Sequence, residues 1–201
     1  VKLILVRHGE SVGNFENRLQ GQEDYPLTDH GRREAALTAD RLYALGTSAL
    51  YCSHLLRARE TAFTIGAKLG VEPIVLEDVS EYHFGELSGQ TYAEIRERFG
   101  AIANPAERTY PGEEGRENFF NRVTSALWGI ATEHPDETVA VVSHGGPIAL
   151  FCQAVLGLPY KRPMPFSIAN CSLNIIDASI TPSDSREAVL LHLNDICHLA
   201  E

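Results

Sequence analysis

Two short runs in this 201-residue chain, Leu3–Val6 and Val139–Val142, are continuously apolar and rich in β-branched residues. A strand with one wet face alternates polar and apolar residues; an unbroken run is the pattern of a strand covered on both sides. Such strands need helices above and below the sheet, and the intervening sequence provides them. Thr28 offers an N-cap to a helix running through about Leu42, its apolar positions Ala35, Ala36, Leu37, Ala39, Leu42, Tyr43 and Leu45 recurring at helical spacing before a stop at Gly46. Ala49–Cys52 predicts a second strand, Leu56–Leu69 a helix ended by Gly70, and Pro73–Leu76 a short third strand. Thr91 and Glu94 form a capping box for a short helix.

Ala103–Gly115, rich in proline, glycine and charge, predicts a loop, and Glu117–Thr132 a helix. An apolar helix follows Val139–Val142 and runs to about Leu156. Ser172–Ile176 and Ala188–Leu193 predict an antiparallel strand pair, which either closes the sheet or pairs between chains in a homodimer. Strands alternating with helices specify an α/β class: a three-layer sandwich, mostly parallel in its central sheet, with helices on both faces. Without repeats, low-complexity tracts or linkers, residues 1–201 are expected to form one domain.

Both buried-strand patterns end in a histidine followed by glycine. Arg7-His8-Gly9-Glu10 follows the first, and His144-Gly145-Gly146 follows the second after Ser143. Ligands of open α/β sheets bind outside the carboxyl ends of strands, so two histidines at two such ends can meet in one crevice. A single histidine there is ordinarily a packed or surface residue; two in equivalent positions, each beside a glycine that admits close backbone approach, favour a site. Arg57 opens the helix after the second strand, where a guanidinium and a helix N-terminus both suit an anion, although a solvated surface arginine fits that segment equally. Glu81 lies in a loop ahead of Gly85 and Gly89, beside Tyr82 and Phe84, and becomes a candidate acid if the loop borders the site.

Composition narrows the partners. The chain carries 27 Asp and Glu against 17 Lys and Arg, a formal charge of −10. Nucleic acid and anionic membranes attract basic surfaces, so neither is expected as a partner. One basic pocket can still take a small anion. Cys52, Cys152, Cys171 and Cys197 are widely spaced without a C-x-x-C pair and are expected to be reduced core thiols. No apolar stretch approaches the length of a membrane span, and Val1–Val6 is too short for a signal h-region, so a soluble, cytoplasmic protein is expected. The eight histidines show no zinc-hydrolase spacing, and no P-loop occurs.

Taken together, these segments resemble the histidine phosphatase superfamily, the phosphoglycerate mutase-like family, over nearly the whole chain. Arg7-His8-Gly9-Glu10-Ser11-Val12-Gly13-Asn14 with Arg18-Leu19-Gln20-Gly21 is similar to its N-terminal signature. Asp24–Thr28 with Gly31, Ser53–Ala62, Glu81–Gly89 and Val141–Gly146 follow as further blocks in the family's order. The resemblance implies His8 as nucleophile, forming a phosphohistidine. It implies Arg7, Arg57 and His144 as holders of the phosphoryl oxygens, and Glu81 as general acid and then base. Asn14, Gln20, Tyr82 and backbone amides near Gly21 and Gly145 complete the implied substrate contacts. No metal or other cofactor is expected, because arginines and histidines do the charge work. A neutral His8 is expected, with His144 cationic when substrate is bound.

The chain departs from the family pattern at His54, Glu60 and Ser11, where Asp, Gln and Thr are frequent. Pro111-Gly112-Glu113-Glu114-Gly115 matches the P-G-G-E-S block only in part, and Glu113–Gly115 is a candidate lining of the substrate side. The gap between Gly89 and the Glu117 helix is short for a bisphosphate-dependent mutase, and Arg96, Arg98 and Arg108 do not form paired arginines. The resemblance therefore implies a phosphatase acting on a small phosphorylated metabolite. A phosphoglycerate mutase is the alternative, and a non-catalytic phosphate-binding module a remote one. Tyr82, Phe84 and Tyr110 could wall the outer pocket or simply pack the loop. Arg18 and Arg108 could hold a second anionic group or be ordinary surface arginines.

Overall fold

The structure is a computed structural model that describes residues 1–99, 110–160, 166–180 and 186–200. Six strands form one sheet: β1 (Lys2–Arg7), β2 (Ala49–Cys52), β3 (Ile74–Val75), β4 (Thr138–Ser143), β5 (Leu173–Ile180) and β6 (Arg186–Asp195). Their order is β3-β2-β4-β1-β5-β6. β1 pairs in parallel with β4, β4 with β2, and β2 with β3, whereas β5 runs against both neighbours. The helices are α1 (Val12–Phe15), α2 (Asp29–Ala44), α3 (Leu56–Leu69), α4 (Tyr92–Phe99), α5 (Arg116–Glu133) and α6 (Gly145–Val155).

The two apolar runs are the paired centre of this sheet, and their period of two divides them between two cores. Leu3, Leu5, Val139 and Val141 pack with Phe119, Val123, Leu127, Ile148 and Phe151 of α5 and α6. Ile4, Val6, Ala140 and Val142 pack with Ala39, Leu42, Ala58, Ala62 and Ile65 of α2 and α3. Each such Leu, Ile, Val or Phe side chain contributes about 1.5–3 kcal/mol by leaving water. That gain on both faces explains why these runs show no polar alternation. The helices after β1 and β4 leave to opposite faces, so the carboxyl ends of two neighbouring strands border an open crevice.

The C-terminal strands close the chain's own sheet, β5 against β1 and β6 against β5. Both run past the expected limits, because polar residues such as Asp177 and Asn194 end the apolar pattern while the ladder continues. β3 is only two exposed residues long, a short edge strand. α1 has no apolar periodicity to announce it. It is one turn, closed by a capping box in which Asn14 N donates to Ser11 Oγ and Ser11 N donates to Asn14 Oδ1. The Thr91–Glu94 box forms as expected, Thr91 N donating to Glu94 Oε2 over 2.7 Å. Of the predicted loop at 103–115, residues 103–109 lie outside the described residues. Cys52, Cys152 and Cys171 are buried free thiols; Cys197, expected in the core, is exposed on a short 3-10 turn after β6. Among the described residues no helix is long and apolar enough to cross a membrane.

Candidate active site

Register brings the histidines together. Arg7 is the β1 partner of Ser143, and His8 N donates to Ser143 O over 3.0 Å. The next residue of β4's chain is His144, and the two imidazole centroids lie 5.1 Å apart. Ser53 follows β2, the strand beside β4, and its Oγ lies 2.8 Å from His144 Nε2.

His8 is buried, and its Nδ1 lies 2.7 Å from Gly9 O. A carbonyl only accepts, so Nδ1 carries the proton and Nε2 keeps a lone pair. Arg57 Nε donates to that Nε2 over 3.2 Å. Arg57, fully buried at the start of α3, donates its other groups to Gly21 O (2.7 Å) and Glu23 O (2.8 Å). The loop around Gly21 thus aims the guanidinium. Burial, then Arg57 and Arg7, hold His8 well below the usual imidazole range. Burial, Arg57, His8, Arg7 and His54 do the same to His144.

Arg7 Nη1 donates to Ile168 O over 2.6 Å. Arg7 Nε and His144 Nδ1 are buried without a hydrogen-bond partner among the described residues. A buried polar atom left unpaired costs about 1–3 kcal/mol, and such atoms gather where a polar ligand satisfies them. Gly145, at the α6 N-terminus, lies beside Arg7, within about 4 Å of its guanidinium for an added Cβ. An oxyanion between these groups would meet fixed cationic and N–H donors on several sides.

Glu81 occupies the rim. Its Oε1 accepts from Tyr82 N over 2.9 Å and its Oε2 from Gly146 N over 3.2 Å. Burial lowers Arg57 to about 10 and lowers Arg7 as well, and Glu81 is the strongest influence opposing both shifts. The carboxylate therefore lies within electrostatic reach of the two guanidinia. A Cβ on Gly146 would run into Glu81 Oε1, so the carboxylate can hold this position only beside glycine.

The remaining candidates are placed less uniformly. Asn14 Oδ1 accepts from Ser11 N and from Asn170 Nδ2, leaving its NH2 to offer an anion. Gln20 is buried beneath α1, where it meets Ser11 Oγ and Gly13. Tyr82 packs edge-on against Phe84 and Phe119, and burial, then the nearby Glu113 carboxylate, push its phenol up. Phe84 and Tyr110 join a small core with Leu19, Leu87 and Ile95. The aromatic trio thus packs within the loop. Arg18 pairs with Glu16 on the surface, and Arg108 lies outside the described residues. Glu114 pairs with Arg122, so its carboxylate braces the loop.

Sequence reasoning missed several neighbours. Asn170 Nδ2 also donates to His8 O over 2.9 Å, and Thr61 Oγ1 accepts from Gly9 N over 3.0 Å. Gln22 Nε2 donates to Glu81 O over 3.1 Å. Tyr92 is half exposed at the start of α4, and its phenol is raised by burial and then by Glu81. Gln22 adjoins the Gln20-Gly21 motif, which is its one sequence signal. Among the described residues no cluster of three His, Cys, Asp or Glu suits a metal ion.

The family model described as the histidine phosphatase superfamily (branch 1) matches residues 3–194. Phosphoserine phosphatase 1 of Hydrogenobacter thermophilus is 33% identical over 100% of this chain and 95% of its own. Phosphoglycerate mutase-like protein 4 of Arabidopsis thaliana is 34% identical over 100% and 87%. Among solved structures, a mycobacterial glucosyl-3-phosphoglycerate phosphatase in complex with VO3 superposes with a TM-score of 0.87 at 27% identity, over 96% of this chain and 98% of that one.

Proposed function

The chain belongs to the histidine phosphatase superfamily and is a phosphatase of that type, and on this premise we propose that it hydrolyses small phosphomonoesters through a phosphohistidine on His8. The observation that carries the proposal is the His8 tautomer: Nδ1–H is tied to Gly9 O, and the Nε2 lone pair lies beside Arg57, near Arg7 Nε and His144 Nδ1, which have no hydrogen-bond partner among the described residues.

His8 Nε2 attacks phosphorus in line as the bond to the ester oxygen breaks, and Glu81 gives that oxygen its proton. Arg7, Arg57 and His144 hold the equatorial oxygens, where charge spreads in a loose transition state. A phosphate dianion between them also raises His144 toward the cationic form, opposing the burial and the two guanidinia that otherwise hold it down. Water then attacks the phosphohistidine, Glu81 takes a proton from it, and inorganic phosphate leaves with His8 Nε2 restored. No metal enters any step.

The test is phosphate release from p-nitrophenyl phosphate, phosphoserine, phosphoglycerates, sugar phosphates and nucleotides, in chelator and without bisphosphate. Release from alkyl phosphates is the expected result. Conversion of 3- to 2-phosphoglycerate only after bisphosphate is added, with no release, would replace the proposal by a mutase. Acid-quenched enzyme should carry label on wild type and none on His8→Ala; equal labelling would point to another nucleophile.

A further inference from the structure

Glu81 lies outside any regular strand or helix, yet four consecutive carbonyls of its loop are held by side chains. Ser143 Oγ donates to Val79 O over 2.6 Å. Arg122, from α5, donates to the other three: Nη1 to Asp78 O (2.9 Å) and Ser80 O (2.8 Å), and Nη2 to Glu81 O (3.0 Å). Its remaining N–H groups form a bidentate pair with Glu114, Nε to Oε2 (2.8 Å) and Nη2 to Oε1 (2.7 Å). All five guanidinium donors are therefore engaged, in a pair that is less than one-fifth exposed on either side.

Glu114 is fixed in turn. Its Oε1 accepts from His83 N over 2.9 Å, and its own N donates to His83 O over 3.2 Å. The Arg122 guanidinium also lies 4.9 Å from the Phe119 ring centroid. The pair has no net charge, and Arg122 holds the backbone carbonyl of Glu81, not the carboxylate. It thus fixes where the Glu81 side chain begins without a salt bridge to the acid itself. The carboxylate is free to meet Tyr82 N and Gly146 N on the pocket side.

We propose that Arg122, neutralised by Glu114, is the positioning residue for Glu81: it holds the loop from behind so that the acid meets the leaving oxygen. This rests on the reading of Glu81 as general acid. A fixed group displaced by about 1 Å can cost about 10²-fold in rate. Proton donation matters for alkoxide leaving groups and little for p-nitrophenolate. Arg122→Gln should therefore lower kcat for alkyl phosphates about 10²-fold more than for p-nitrophenyl phosphate. In a Glu81→Gln background it should leave that ratio unchanged, because the two residues act as one unit.

Equal losses on both substrate classes, or additive losses in the double variant, would make Arg122 a stability element only and overturn the proposal. Glu81→Gln failing by itself to discriminate leaving groups would remove the acid assignment, a result distinct from a failure of Arg122 alone. Where Arg122→Gln does not fold, by circular dichroism and thermal melting, Arg122→Lys supplies the same ratio, with three donors in place of five. Its expected value lies between those of wild type and Glu81→Gln.

Discussion

At the residue scale the site depends on two exact fits. His8 presents one nitrogen to Gly9 O and the other to Arg57, and burial with two nearby guanidinia keeps it neutral. Its ordinary value is about 6.5, so between roughly pH 6 and 8 its ring should stay in the Nδ1–H form. Nitrogen-15 NMR of the imidazoles checks this, and a His8 titration midpoint near 6.5 would contradict it. The second fit is at Gly146, where a methyl group would run into the Glu81 carboxylate. Gly146→Ala should cost about 10²-fold in kcat on alkyl phosphates and far less on p-nitrophenyl phosphate. A parallel loss on both would mean that the residue shapes the phosphoryl cradle instead.

At the element scale, α2 and α3 fix the loop after His8 by contact with its backbone. A Cβ on Gly9 would meet the Gly31 carbonyl, and one on Gly31 the backbone of Glu10. The first turn of α2, capped by Thr28 Oγ1 accepting from Gly31 N, thus presses directly on the residues after His8. From α3, Thr61 accepts from Gly9 N while Arg57 reaches His8. Backbone cannot yield as a flexible side chain does, so Gly31→Ala should cost about 1–3 kcal/mol, the range for overpacking. That corresponds to a Tm lowered by about 2–12 °C in a chain of this length. Calorimetry measures the shift, and an unchanged Tm would show that the helix can move away freely. Helix existence was readable from apolar spacing and caps; this contact was not, because Gly9 and Gly31 belong to different elements and only the packed fold presses them together.

At the scale of the whole molecule, two imidazoles are buried in the neutral state at the centre of the sheet's carboxyl edge. Their folded pKa values lie below the unfolded value of about 6.5, so below that pH the unfolded chain binds protons that the native one does not. Stability from these groups is complete above about pH 6.5 and falls as the pH drops, on the order of 1 kcal/mol per histidine per pH unit. Urea unfolding at pH 7.5 and 5.5 should show this loss, with a flatter dependence in the His8→Gln/His144→Gln variant. Identical slopes would place the acid sensitivity in other groups. The strand ends carrying His8 and His144 were legible in the sequence because burial on both faces and helical spacing are local patterns, written residue after residue. Arg57 and Glu81 were candidates from their own segments, and the family resemblance gave them roles. Sequence left the neighbours unresolved: Arg122 lies 41 residues from Glu81, Ser53 lies 91 from His144, and Asn170 lies 162 from His8. No local period encodes such pairings. The aromatic residues beside Glu81 were ambiguous for the same reason, since a tyrosine in a loop has one composition whether it packs or faces a ligand. The sequence determined which strand ends carry the candidate site; the tertiary structure decided which side chains surround and brace it, because hydrogen-bond partners are chosen by distance in space and not by separation along the chain.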